Sequence, residues 1–504
     1  MGFIVYQEKN GRTYATFCKA KRENGAKTNE TVNLGLVLDK EKGVFKSRER
    51  GVYAFSVENG YGEPSEEYEL KARSARRKEV DMLDYGDTFF LDSFLRTTPY
   101  YDIIKSVVAG KEDLVLSILY YYILQGGARE YSRIWWEGNY ASCLFPKALP
   151  YGSKISALYR KLGEPDVQAA FFRRYILAVL SNPGIHGLLI DSSGIPNSID
   201  MDKTEISNHN GDINVEARII FVCERNTGLP LYFRTISGNI IDLSTVAITI
   251  SDLEKAGICI DFAILDAGYY DENAIKTLQD KDIAFITRMK RNRKLYKETA
   301  RKHLTSLADA SNMVTYNGRA LFMKKVEITL NGKRAYAYLG KDLMMAGMEA
   351  KSILPAALEN GTDGAKLNEL YQDLGVFMLI SSEDLDTSEV LPLYYTRQQV
   401  EQVFDIAKNY AELMQLGQHT EGTFEGHCFM SFLATIVCHL LQRKLKGADM
   451  NQIELLRLLR NHKCAVYDNG DIVPREAKKK QKDAYAIIGA KPYNWRMDTA
   501  SICG

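Results

Sequence analysis

Two short apolar runs that each stop at an aspartate constrain this chain more than any other feature. HGLLID closes on Asp191 and gives way to Ser192, Ser193 and Gly194; IDFAILD closes on Asp266 and gives way to Ala267, Gly268 and Tyr269. An aliphatic run bounded by small residues reads as a strand buried on both faces, which calls for a sheet with helices on each side. The end of such a strand opens into the crevice where α/β sheets bind ligands, so an acid there is a candidate site residue. Around these runs, VEARIIFVCER and LPLYFRTIS read as an antiparallel pair joined through NTG. LSTVAITISDLEKAG and ENAIKTLQDK read as helices, and AFITRM as a closing strand. The expected class is α/β within an α+β multidomain chain: a mixed sheet flanked by helices.

A third acid comes from YYTRQQVEQVFDIAK, which spaces Tyr394, Arg397, Glu401 and Lys408 by three, four and seven residues. On one helix these side chains span an arc of roughly 60°, with Val400, Val403, Phe404 and Ala407 on the neighbouring flank. Such a helix packs by its apolar flank and holds out a carboxylate among a phenol, a guanidinium and an ammonium. Taken alone, the quartet also fits a solvated face with i,i+4 ion pairs. Together with Asp191 and Asp266 it makes a three-carboxylate set suited to hard divalent cations, with Arg and Lys beside it to grip phosphate oxygens.

The four residue types at this spacing resemble the Y-R-E-K signature of DDE-class bacterial insertion-sequence transposases, whose catalytic core is RNase H-like. The order Asp, Asp, Glu agrees, as do the small hydroxyl residues after Asp191 and the Gly and aromatic after Asp266. The gaps of 75 and 135 residues between the acids resemble the subgroup with a β-rich insertion before the glutamate helix. The resemblance covers about residues 150 to 445. It implies catalysis by Asp191, Asp266 and Glu401 with two Mg²⁺ ions, Mn²⁺ being able to substitute. The reaction implied is nicking of DNA by metal-activated water, then attack of the freed 3′-hydroxyl on a second phosphodiester. It further implies that Tyr394, Arg397 and Lys408 hold phosphates near the cleaved end. It implies transposon-end and target DNA as partners, with a homodimer in the synaptic complex. The expected setting is the bacterial cytoplasm, on the nucleoid when DNA-bound, with no membrane partner. The alternatives are an RNase H-like nuclease or a domesticated DNA-binding protein derived from a transposase; a two-carboxylate sugar hydrolase would not need the cations beside Glu401. Gly238, Asn239 and Asp242 resemble a further family segment, a turn cap being the other reading. The chain departs from some relatives in having no Trp in residues 303–374 to capture a flipped base; Tyr316, Phe322 and Tyr336 are the aromatics available there.

The chain carries 65 basic and 64 acidic residues, so only the distribution of charge can speak for nucleic acid. Arg288 to Lys302 holds eight Lys or Arg against Glu298 alone. Arg288, Lys290, Arg291 and Arg293, next in sequence to the second acid, are expected to contact a phosphate backbone. KARSARRK from Lys71 and REAKKKQK from Arg475 read as solvated faces or tails. The eight cysteines form no CxxC pair and read as reduced thiols. His427, Cys428, Cys438 and His439 cannot surround one zinc from a single helix and read as core. The longest apolar stretch, from Phe429, has 13 residues, too short to span a bilayer, and the start does not read as a secretory signal. The expected organisation is a β-rich region at 1–65 and a mainly helical region at 66–183, which the resemblance implies binds the transposon ends. The catalytic core is expected at 184–302 and 375–445, an insertion subdomain at 303–374, and a helical region with a tail at 446–504.

Overall fold

Period-two alternation near the start of the chain produces an antiparallel meander of β1 (Gly2–Lys9), β2 (Arg12–Glu23), β3 (Ala26–Asp39), β4 (Val44–Ser47), β5 (Gly51–Ser56) and β6 (Gly60–Gly62), paired in chain order. Ala15, Leu34, Phe45, Tyr53 and Phe55 fill its core. The structure is a computed structural model that describes all residues except 1, 10, 24–25, 48–49, 64–77, 181–186, 198, 208–213, 240–244, 256–259, 267, 269, 415–416 and 492–504. Two compact units emerge, one holding Met1–Leu83 and Cys464–Arg475, the other Asp84–Lys463 and Glu476–Tyr493. β7 (Glu79–Asp84) closes the first stretch.

The second unit opens with α1 (Gly86–Arg96), α2 (Tyr101–Lys105), α3 (Glu112–Leu124), α4 (Ser132–Glu137), α5 (Ala141–Leu144), α6 (Gly152–Leu162) and α7 (Pro165–Leu180). α3 is apolar all round, and every residue from Leu114 to Leu124 is buried, as a central helix requires. These helices share a core with the elements that follow, α3 and α6 packing against the helix Glu421–Lys444. Trp136 donates from Nε1 to the Phe145 carbonyl at 3.3 Å, and Trp135 packs on Tyr121 at 5.7 Å between ring centroids, so both tryptophans are committed to packing.

The elements that follow are β8 (Leu188–Pro196), β9 (Glu205–Ser207), β10 (Asn214–Glu224), β11 (Pro230–Ser237), α8 (Thr245–Lys255), β12 (Phe262–Leu265), α9 (Glu272–Asp280), β13 (Ala284–Arg288), α10 (Lys294–His303), β14 (Met313–Tyr316), β15 (Arg319–Leu330), β16 (Lys333–Asp342), α11 (Leu343–Glu359), α12 (Gly364–Asp373) and β17 (Val376–Ser381). One sheet contains all of the strands, in the order β11-β10-β8-β12-β13-β17-β16-β15-β14, with β9 added to β10. β11, β10 and β8 pair antiparallel, and β12 and β13 run parallel to β8. This is the expected succession of three antiparallel strands and then parallel α/β units. The strands of residues 303–374 form the expected β-rich stretch before the glutamate helix and join the same sheet, since β17 pairs β13 on one edge and β16 on the other. Both of their hairpins turn on Asn-Gly with positive φ, at Asn317 (47°) and Gly318 (71°) and at Asn331 (49°) and Gly332 (79°), the signature of a tight two-residue turn.

Next come α13 (Val390–Tyr395), α14 (Gln398–Tyr410), α15 (Glu421–Lys444), α16 (Gln452–Arg460), β18 (Lys463–Tyr467), β19 (Ile472–Pro474) and α17 (Lys479–Ala486). The C-terminal region is thus not purely helical. CAVYDNGDIV alternates about a turn and supplies two strands that join β7 in the order β19-β18-β7. α15 is long and apolar enough to cross a bilayer by length and composition, yet 89% of its most apolar window is buried inside the protein. His427, Cys428, Cys438 and His439 all lie in this buried helix. The His427 Nδ1 sits 2.7 Å from the Tyr122 hydroxyl.

Candidate active site

Strand register brings the first two acids together. β12 pairs with β8 at Ala263–Leu188, Ile264–Leu189 and Leu265–Ile190, and then stops. Asp266 and Asp191 are the next residue on each strand, side by side where the two strands part, at about 5 Å strand spacing. β8 does not end at Asp191, as its composition suggested. β10 pairs along it to Pro196, with Phe221 opposite Asp191, so the small residues 192–194 continue the strand. The Asp191 carboxylate accepts the Ser192 N–H at 2.8 Å. Burial, and then the charge of Asp266, push Asp191 up to about 7 against the opposing pull of Arg397.

Phe221 also places the glutamate helix. Residues opposite one another in an antiparallel pair share a face, and Phe404 packs on Phe221 at 4.9 Å between ring centroids. α14 therefore lies over the face that carries Asp191, with Val400, Val403, Phe404, Ile406 and Ala407 buried beneath it. The quartet is not on one straight helix. Between α13 and α14 the backbone tightens to i→i−3 bonds: Arg397 N–H donates to Tyr394, Gln399 to Thr396 and Val400 to Arg397. A 3₁₀ turn advances the phase faster than an α-turn, yet Tyr394 and Arg397 still converge on Asp266 Oδ1. Tyr394 points inward, only 4% exposed, with its hydroxyl 3.5 Å from Asp266 Oδ1. Burial foremost, and then Asp266, raise its pKa.

Arg397 occupies the middle of the acids. Its Nη1 lies 2.5 Å from Asp266 Oδ1, and its Nη2 donates to Glu401 Oε1. The Arg397 side chain is 19% exposed and that of Glu401 50%. Glu401 thus reaches the aspartates through the guanidinium, and among the described residues no three His, Cys, Asp or Glu side chains converge on one point as a ready-made metal cluster. The donor set still fits a hard cation: the acids are all carboxylates, and burial first, then the neighbouring Asp266 charge, raises Asp191 and leaves it to gain from a cation. Lys408 donates to Ser193 Oγ at 2.6 Å, two residues beyond Asp191 on β8. Burial pulls its ammonium down, opposed by Glu216.

The basic cluster divides. Arg288 and Lys290 are exposed. Arg291 is committed to the protein, donating to the Val376 carbonyl at 2.7 Å and to Glu349 at 3.0 Å. Arg293 lies over the Tyr270 ring and donates to the Tyr270 carbonyl at 3.4 Å. Tyr316 stacks on Tyr395 at 5.1 Å, and Tyr336 is buried. Gly238 cannot carry a side chain because a Cβ would lie 2.0 Å from the Glu216 carbonyl oxygen, while Asp242 lies outside the described residues, as does most of the cluster from Lys71.

One participant escaped the sequence reading. Arg218 on β10 is 1% exposed and donates from Nη2 to Ser192 Oγ at 2.5 Å, beside Asp191. A lone arginine inside VEARIIFVCE was the signal, since a charge within a buried strand has to be paired.

Comparison with known proteins gives one family match. The model described as "Transposase DDE domain" matches residues 183–437, just over half of the chain. No curated protein matches. Among solved structures, the piggyBac transposase synaptic complex with hairpin DNA is similar at 12% identity and a TM-score of 0.41, over 75% of this chain and 79% of that one. The matched span starts ahead of β8 and ends within α15, enclosing Asp191, Asp266 and Glu401: the chain belongs to the DDE transposase family.

Proposed function

We propose that the chain binds the terminal inverted repeats of an insertion sequence and catalyses Mg²⁺-dependent cleavage and strand transfer through Asp191, Asp266 and Glu401. The observation that carries this reading is the strand register that sets Asp191 against Asp266 beneath α14, with Glu401 tied to the pair through Arg397. Asp191 and Asp266 would hold the cation, and Glu401 would complete the set once Arg397 releases it. A divalent cation bound there supplies Lewis-acid stabilisation of the attacking and leaving oxygens of the phosphodiester. Lys408, which donates to Ser193 beside the first acid, would meet a phosphate oxygen of the cleaved strand. Arg288 and Lys290 extend the positive surface for the duplex. Tyr394 acts from below, its hydroxyl turned to Asp266. Synapsis of two ends calls for two copies of the chain.

The test is cleavage of a duplex carrying the inverted repeats that flank the gene, with Mg²⁺ or with EDTA, for the wild type, Asp191→Asn, Asp266→Asn and Glu401→Gln. Nicking at the repeat ends that needs metal and all three acids is expected. Cleavage in EDTA, or an Asp191→Asn protein that cuts as well as the wild type, would sink the reading.

A further inference from the structure

We propose that Arg397 is the resident counter-cation of the acid cluster, and that capture of its guanidinium by a DNA phosphate opens Asp266 and Glu401 to the divalent cation. DNA-end binding and metal binding then strengthen one another. This rests on the reading of Asp191, Asp266 and Glu401 as the metal-holding set.

The guanidinium is split between carboxylates from different elements: Nη1 faces Asp266, at the end of β12, and Nη2 faces Glu401, on α14. The oxygens it engages, Asp266 Oδ1 and Glu401 Oε1, are ones that a cation would need, so guanidinium and metal compete for the same lone pairs. Around a guanidinium the acids stand further apart than around a small ion, in keeping with the lack of a converged three-ligand cluster among the described residues. Arg397 has a second class of partner within its chemistry, because its planar fork matches the two oxygens of a phosphate as well as it matches carboxylates. Released to a phosphate, it leaves two acids uncompensated beside Asp191. The cluster then has a higher demand for a cation only when DNA is present. Linkage makes the effect reciprocal: whatever factor DNA adds to metal affinity, metal adds to DNA affinity.

The experiment titrates Mn²⁺ into the full chain and reads free Mn²⁺ by electron paramagnetic resonance, with and without a duplex of the flanking repeat. The proteins are wild type, Arg397→Gln, Arg397→Lys and Asp266→Asn. Without DNA, Arg397→Gln should bind Mn²⁺ more tightly than wild type, on the order of tenfold, while Arg397→Lys, which keeps a cation, stays close to wild type. Adding the duplex should tighten Mn²⁺ binding to wild type by a similar factor and change Arg397→Gln little. An Arg397→Gln protein that binds Mn²⁺ no better than wild type, or that gains as much from DNA, overturns the proposal. The wild-type arm needs no variant: Mn²⁺ affinity indifferent to the duplex overturns it equally. Asp266→Asn separates the two readings. If it binds Mn²⁺ as well as wild type, the metal-site assignment fails; if it loses binding while Arg397→Gln gains none, only the role of Arg397 fails.

Discussion

In the metal-free protein, Asp191→Asn should make the fold more stable, most clearly at high pH. Asn keeps the amide oxygen that accepts the Ser192 N–H and removes the charge that burial and Asp266 oppose. The carboxyl moves from the ordinary aspartate range, about 4, to about 7 in the folded protein. Between those values the folded chain holds a proton that the unfolded chain has lost, so wild-type stability falls as pH rises through this window and levels off above the folded pKa. That displacement corresponds to roughly 4 kcal/mol at pH 8 and roughly 2 kcal/mol at pH 5, the difference by which Asp191→Asn should exceed wild type. Urea denaturation in EDTA at pH 5 to 8, followed by tryptophan fluorescence in a Trp495→Phe background that leaves Trp135 and Trp136, reports on the unit that contains the site. Saturating Mg²⁺ should raise the wild-type midpoint and leave the variant unmoved. A variant no more stable than wild type at pH 8, or a difference that does not change with pH, would refute the electrostatic account of the site.

Three further outcomes are expected. Gly426→Ala would place a Cβ 1.9 Å from the Tyr159 carbonyl oxygen, between α15 and α6; forcing the helices apart should cost about 1–3 kcal/mol, whereas Gly422→Ala, with open space at its Cβ, should be near neutral in the same urea titration. Arg460→Met strands the fully buried Asp87, to which Arg460 Nε donates at 2.8 Å. The loss should reach about 3–5 kcal/mol near pH 8 and shrink in acid, because burial raises the Asp87 pKa and protonation relieves the unpaired charge. Lys408→Met should weaken binding to a repeat-end duplex and lower its salt slope by about one, with Mn²⁺ affinity unchanged, measured by fluorescence anisotropy across salt concentrations.

Much of the site is legible in the sequence because its markers are local. Apolar runs ending at Asp191 and Asp266, the periodic flank of α14 and the Asn-Gly turns at 317–318 and 331–332 are each set by neighbours within a few residues. The helix that carries Glu401 follows from Val400, Val403, Phe404 and Ala407, which are all buried. The reading faltered where a local pattern met a distant partner. Ser192 to Pro196 looked like loop and became strand because β10 offers hydrogen bonds along that whole edge. Tyr394 looked outward on an ideal helix and turned inward once the junction tightened to 3₁₀ geometry.

By itself, then, the amino-acid sequence determined which acids are available, their order, the class of sheet that presents them and the resemblance that names their chemistry. Only the tertiary structure decided that Asp191 and Asp266 lie side by side, that Arg397 is spent on carboxylates, that Arg291 belongs to Glu349 and Val376, and that the strands after residue 303 prolong the sheet that carries the two aspartates. The reason is physical. Periodicity and turn chemistry act over a few residues, whereas register, burial and charge pairing depend on groups up to a hundred residues or more apart, whose meeting no local pattern encodes.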